Sequence, residues 1–205
     1  MHCRRRIVHH KDTTGAEIVK KLLEEVHRRK NITQVPNSLV YKLEKVKSGF
    51  CADILDENGK PFSVFADYCV LATGGIGRVY KYTTNPAVAT GDGIRLAYEL
   101  GAAIKHLSYV QFHPTAFNGP DREQFLISEA VRGEGAYLLN CNKERFMHRY
   151  DDRLELAPRD VVSRAIILES RKTGSNNFYL DITYKDSDFV RNRFPGIYAG
   201  CLEHG

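Results

Sequence analysis

The segment Val70-Leu71-Ala72-Thr73-Gly74-Gly75 runs an apolar strand directly into paired glycines. Glycine has no Cβ, so the chain can turn there and a ligand can come up against bare main chain. This feature predicts a buried strand over Phe62–Ala72 with a turn at its end. Two further strand-like runs precede it, Ser38–Lys47 and Phe50–Leu55, and Asn58-Gly59 marks a hairpin turn between the second and third. A second glycine pair, in Thr90-Gly91-Asp92-Gly93, opens a helix expected to run through Leu100. Ile94, Leu96, Ala97 and Leu100 form its inner face and Gly101 stops it. Gly75-Ile76-Gly77 is followed by Arg78-Val79-Tyr80, so the third glycine of a dinucleotide-binding G-x-G-x-x-G is missing. The glycines therefore read equally as a cofactor-binding turn or as a plain strand end.

Outside this region the pattern turns helical. Met1–His10 alternates and predicts an extended lead-in. Thr14 with Glu17 forms a capping box for a helix whose buried face is Ile18, Leu22, Leu23 and Val26. Arg28, Arg29 and Lys30 then suit the negative end of that helix. A change of character after Ile104 places a domain boundary near His106, dividing residues 1–106 from 107–205. Glu129–Leu139 is expected to be a short helix interrupted by Gly133 and Gly135. Pro158–Ser170 predicts a longer helix with Pro158 in its first position and Val161, Val162, Ala165, Ile166 and Leu168 buried.

Composition narrows the function classes. With 42% hydrophobic and 27% charged residues in 205, the chain is globular rather than disordered. No run approaches the ~20 apolar residues of a membrane helix and no charged-then-apolar leader opens the chain, so neither a span nor a secretory signal is expected. The five cysteines are scattered and form no Cys-x-x-Cys pair. That argues against a disulfide framework and a zinc site, leaves the metal expectation at none, and suits a reducing cytoplasm. The net charge of +5 comes wholly from residues 1–30, which hold nine Lys/Arg against four Asp/Glu. A basic arm without a nucleic-acid motif is expected to be a solvated face, so no nucleic-acid partner is expected.

The polar residues of the second half carry the candidate chemistry. The proline in His113-Pro114-Thr115 holds His113 in an extended backbone and fixes its direction. If the next segment is helical, Ser128 and Arg132 share a face and Glu129 reaches Arg132. A hydroxyl, an imidazole and a guanidinium converging on one spot would hold a carboxylate by charge-assisted hydrogen bonds. The alternative is a surface ion pair beside a core histidine. Arg159 falls in the first turn of its helix, where the dipole disfavours a cation. Asp160 suits that position and can pair with Arg164. Arg159 is therefore expected to be held by a local carboxylate or to face an anionic ligand.

Taken together, the motifs resemble the L-aspartate oxidases, a family within the succinate dehydrogenase and fumarate reductase flavoprotein superfamily. They include RRIVH from Arg5 to His9, ATGG at 72–75, YTTNP at 82–86, GDGI at 91–94 and QFHPTA at 111–116. SEAVRGEGAYL at 128–138, RFM at 145–147 and LAPRDVVSRAI at 156–166 follow in family order. The resemblance implies an α+β fold: part of an FAD-binding domain over 1–106, then the α+β capping domain of the fumarate reductase type over 107–205. It implies FAD as cofactor, against Thr73, Gly74, Gly75 and Asp92, with the backbone near Leu39 and Val40 along its adenosine part. It implies a substrate carboxylate at His113, Ser128, Glu129 and Arg132, with Ser128 in place of the commoner threonine. Arg159 falls at the arginine regarded as the acid/base of the superfamily, with clamping of the dicarboxylate as the milder role.

The implied reaction is oxidation of L-aspartate to iminoaspartate, with O2 or fumarate as acceptor and quinolinate synthase downstream on the route to NAD. A fumarate reductase or succinate dehydrogenase flavoprotein is the alternative within the superfamily. A non-enzymatic anion-binding module is the alternative outside it. Nothing in the chain matches the family's opening G-x-G-x-x-G turn or its later carboxylate-binding histidine and arginine. The chain is thus expected to be an internal piece that by itself holds FAD weakly and is inactive.

Overall fold

The computed structural model describes residues 8–118 and 124–204. The chain divides into two compact units, Val26–Val110 and the combination of Met1–Glu25 with Gln111–Gly205. Most of the expected extended lead-in lies outside the described residues; His9 and His10 have no regular structure. Helix α1 spans Thr14–Arg28. The expected capping box does not form, because Thr14 Oγ1 accepts from the His10 N–H at 3.0 Å. The Glu17 N–H bonds instead to the Thr13 carbonyl at 3.1 Å. Its apolar face is not buried either: Ile18, Leu22 and Leu23 are all exposed.

The unit of Val26–Val110 is built on an antiparallel meander, β1 (Leu39–Val46), β2 (Gly49–Leu55) and β3 (Pro61–Ala66). The Asn58-Gly59 turn forms as expected. Asp56 Oδ1 accepts from the Asn58 and Lys60 N–H groups at 2.9 and 2.8 Å, and Gly59 takes the positive φ of 75° that favours glycine. The third strand is shorter than the sequence suggests. It ends at Ala66, opposite Phe50, because its partner β2 runs out one residue further on at the tight turn into β1. The segment on to Ile76 has no regular structure, and Val70, expected in a buried strand, is 87% exposed. Helix α2 (Asp92–Glu99) follows Gly91 in the left-handed region, buries Leu96 and ends before Gly101, also at positive φ.

The other unit holds the better packed core. Helix α3 spans Glu129–Gly133, and strand β4 (Tyr137–Leu139) replaces the rest of the expected 129–139 helix. Gly135 at φ 106° makes the switch: there a Cβ would collide with the Tyr184 hydroxyl. Helix α4 (Arg159–Thr173) has Pro158 as its cap rather than as its first residue. Leu168 of its expected face is 41% exposed, while Val162, Ala165 and Glu169 point inward. The sequence spacing misjudged this face because a glutamate occupies one of its innermost positions. Strand β5 (Tyr179–Asp181) pairs antiparallel with β4, and α5 (Ser187–Arg193) and α6 (Pro195–Glu203) close the unit. Phe146, Met147, Leu138, Ala157, Val162 and Ala165 form one buried cluster, and Val131, Ala136 and Phe194 a second.

Candidate functional site

In the unit of Val26–Val110 the two glycine turns are brought together. Thr73 Oγ1 occupies the space that a Cβ on Gly93 would need, and the Ile76 side chain lies 3.0 Å from where a Cβ on Gly91 would stand. Only glycine at both positions lets the 73–76 segment lie against the start of α2. A Cβ at Gly74 or Gly75 would meet nothing within 4 Å, so this stretch of main chain faces open space. Asp92, the first residue of α2, is exposed and accepts a hydrogen bond from the Thr90 hydroxyl. Leu39 and Val40 begin β1, and the neighbouring Tyr41 carbonyl accepts from Arg95 Nη2 of α2 at 2.8 Å. The expected contacts of a flat cofactor thus share one unit, and a backbone cradle with uncovered glycines suits such a group.

In the other unit His113, Glu129, Arg132 and Arg159 form one electrostatic cluster. Arg132 is the least expected member: a guanidinium 1% exposed, on the short helix α3. Its Nη1 donates to the Glu155 carbonyl at 2.6 Å. Nη2 lies 3.5 Å from Glu129 Oε1, an ion-pair distance without hydrogen-bond geometry, and neither Nε nor Nη2 has a hydrogen-bond acceptor among the described residues. Burying a cation with two nitrogens short of hydrogen-bond acceptors is costly, and an acceptor placed there would lower that cost. Burial lowers the Arg132 pKa, Glu129 opposes that, and Arg159 adds to it.

Arg159 resolves the choice left open for it: a local carboxylate does hold it. Its Nε donates to Glu129 Oε2 at 2.8 Å and its Nη1 to Gln111 Oε1 at 3.0 Å. Glu129 therefore bridges two guanidiniums, one through each oxygen. Asp160 and Arg164 make no ion pair, contrary to the spacing argument; Asp160 lies in the first turn of α4 and its charge acts on Arg153. Ser128 caps α3 rather than lying on its face, and its Oγ accepts from the Ala130 N–H at 3.3 Å.

His113 is half-buried, with Nδ1 3.2 Å from the Thr115 N–H. Burial and then the charge of Arg159 push its pKa below the usual histidine value, with Arg132 acting in the same direction. These surroundings favour the uncharged ring. Gln111 is the member that the sequence reading missed as a site residue. Only its place two residues before His113, in the quoted QFHPTA motif, could have drawn notice.

The FAD binding domain family matches residues 1–204. The chain belongs to that family. FAD is the cofactor its members are built around, and the relatives sharpen the family resemblance. The L-aspartate oxidase of Clostridium perfringens is 46% identical over 202 residues, which cover 98% of this chain and 45% of that protein. L-aspartate oxidase 1 of Ralstonia nicotianae is 44% identical over 212 residues, covering 100% of this chain and 40% of that protein. The chloroplastic L-aspartate oxidase of Oryza sativa subsp. japonica is 43% identical over 219 residues, covering 100% and 34%. Among solved structures, one described as quinol-fumarate reductase with menaquinol molecules superposes with a TM-score of 0.74 at 26% identity, over 92% of this chain and 36% of that chain. The FAD binding domain described here thus spans less than half the length of the curated relatives it matches, and its fold is of the fumarate reductase flavoprotein type. No helix among the described residues is long and apolar enough to cross a membrane.

Proposed function

We propose that this FAD binding domain is part of a cytoplasmic L-aspartate oxidase, which converts L-aspartate to iminoaspartate for NAD biosynthesis. The observation that carries the reading is the buried Arg132 with two unused N–H donors, set beside His113 and Ser128 in a chain 46% identical to an L-aspartate oxidase. A dicarboxylate supplies the acceptors that this cluster lacks. Arg132 Nε and Nη2, the Ser128 hydroxyl and the neutral His113 imidazole would donate to one substrate carboxylate. Glu129 is acidic and already engaged by Arg159, so its part is to hold the two guanidiniums in register. Arg159 would clamp the substrate or take up a proton as the amino group becomes an imine. An arginine with a pKa above about 12 does the second only if transient deprotonation is tolerated.

In this reading Thr73, Gly74, Gly75 and Asp92 line the flavin, and Leu39 and Val40 lie along the adenosine part of FAD. When bound, FAD supplies the two-electron chemistry by accepting hydride from Cα, and the protein orients that bond toward it. Residues 107–205 would be the capping domain. Molecular oxygen or fumarate would reoxidise the cofactor and quinolinate synthase would consume the product. The decisive experiment assays the full-length protein with L-aspartate and with succinate. Flavin reduction by aspartate supports the proposal, whereas turnover of succinate alone replaces it with a succinate dehydrogenase or fumarate reductase activity. A colourless, inactive full-length protein replaces it with an anion-binding module.

A further inference from the structure

Thr115 is buried, 6% exposed, and its N–H, carbonyl and hydroxyl are all engaged. The segments carrying His113 and Ser128 run antiparallel and are pinned by the Thr115–Ile127 rung. They continue through the Ala116–Leu126 bridge to a bond from the Phe117 N–H to the Phe125 carbonyl at 2.7 Å. An ordinary antiparallel rung exchanges two main-chain bonds. Here only one is present, from the Ile127 N–H to the Thr115 carbonyl at 3.1 Å. The reciprocal donor, the Thr115 N–H, turns instead to His113 Nδ1 at 3.2 Å, and the Thr115 hydroxyl takes its place on the Ile127 carbonyl at 2.8 Å. Nδ1 also lies 3.1 Å from the Thr115 carbonyl and 3.4 Å from its Oγ1. Donation from Nδ1 to that carbonyl, which already accepts from the Ile127 N–H, would leave the buried Thr115 N–H without an acceptor among the described residues, and this favours Nδ1 as the acceptor.

We propose that Thr115 is a positioning residue for His113: its hydroxyl completes the rung to Ile127 and so frees its own N–H to hold the imidazole in the form protonated at Nε2. This deepens the carboxylate reading above and rests on it for its consequence, since Nε2–H is then the donor offered to substrate. An acceptor role for Nδ1 places the proton of the neutral ring on Nε2. The same rung fixes Ile127, the residue before Ser128, so one side chain sets the spacing of two carboxylate donors. A residue without a hydroxyl at 115 forces a choice. Either its N–H returns to Ile127 and releases the imidazole, or the Ile127 carbonyl is left without its donor.

The test reads the His113 tautomer by 15N NMR in the 205-residue chain without cofactor or substrate, assigned with His113→Gln. The Nε2–H signature is expected in the unsubstituted chain and in Thr115→Ser, and its loss in Thr115→Val. In the full-length flavoprotein, Thr115→Val is expected to raise KM for aspartate about fivefold to tenfold with smaller change in kcat, and Thr115→Ser to restore it. An Nδ1–H signature in the unsubstituted chain overturns the proposal. So does a Thr115→Ser chain that loses the Nε2–H form, or a folded Thr115→Val chain that keeps it. Should Thr115→Val not fold, the first two readings still decide. If the tautomer shifts as expected but His113→Ala leaves KM unchanged, the role of Thr115 toward the ring stands and the carboxylate reading falls.

Discussion

Glu169 is wholly buried in the third turn of α4, the helix whose first residue is Arg159, and its carboxylate is the acceptor for three side chains. Oε1 accepts from Asn140 Nδ2 at 2.9 Å and from Arg149 Nη1 at 2.8 Å, and Oε2 accepts from the Tyr150 hydroxyl at 2.7 Å. Glu169→Gln keeps the shape. Its carbonyl can serve Asn140 and Arg149, and its amide can donate to the tyrosine oxygen, so mainly the charge assistance is lost, about 1–2 kcal/mol. Glu169→Leu removes the acceptor that three donors share, leaving Asn140 and Arg149 with only Glu144, at 3.0 and 3.6 Å, and should cost about 3–5 kcal/mol. At about 2–4 °C per kcal/mol for a chain of this size, the midpoints should fall by roughly 2–8 °C and 6–20 °C respectively.

The pH dependence gives a second reading of the same group. Burial pushes the Glu169 carboxyl up, but Asn140, Tyr150 and Arg149 outweigh it and hold the pKa below its ordinary 4.5. A carboxylate depressed on folding stabilises fully above its unfolded value, and the contribution disappears as pH falls through the folded one. Glu169→Gln should therefore flatten the acid limb of stability below about pH 4.5. Circular-dichroism melts of both variants from pH 7 downward measure this. Equal destabilisation by Gln and Leu, or an acid limb unchanged in Glu169→Gln, would refute the reasoning.

The other expectations concern the site. In the full-length protein Arg159→Lys should keep flavin binding but lose about 30- to 1,000-fold in turnover, about 2–4 kcal/mol, because an ammonium cannot reproduce the bidentate geometry of the guanidinium; near-normal kinetics would reject this. His113→Ala and Ser128→Ala should each raise KM for the dicarboxylate more than they lower the melting temperature, and the reverse order would assign both to folding. FAD titrated into the 205-residue chain should show no saturable binding in the micromolar range, since its sequence holds no G-x-G-x-x-G turn, the usual cradle of the pyrophosphate; tight binding with aspartate-dependent bleaching would contradict it.

Local features were legible where the physics is local. The Asn58-Gly59 turn, the glycine entry to α2 and its stop at Gly101 depend on backbone conformations that only a few residue types adopt, so the letters alone announce them. The three strands were legible as apolar runs, and the pairing of the second with the third through the Asn58-Gly59 turn; the pairing of the first with the second was not read. The capping box at Thr14 was misread, because the His10 N–H competes for the same hydroxyl and wins. The strand through Val70 was misread because apolar letters report a wish for burial, whereas strand extent depends on how far the partner β2 continues.

The site divides along the same line. That His113, Ser128, Glu129, Arg132 and Arg159 are chemically suited to a carboxylate follows from their side chains, and their order along the chain carries the family resemblance. Whether a guanidinium is spent on a neighbour or left with donors to spare depends on groups far away in sequence. Glu155 supplies a carbonyl to Arg132, Glu129 reaches Arg159, and Gln111 closes on the same guanidinium. The sequence by itself determined the turns, the helix starts and the kinds of group available. Only the tertiary structure decided which cation is buried, which donors remain idle, and that a threonine hydroxyl stands in for a backbone N–H, because each of these is a competition among partners that folding alone brings within reach.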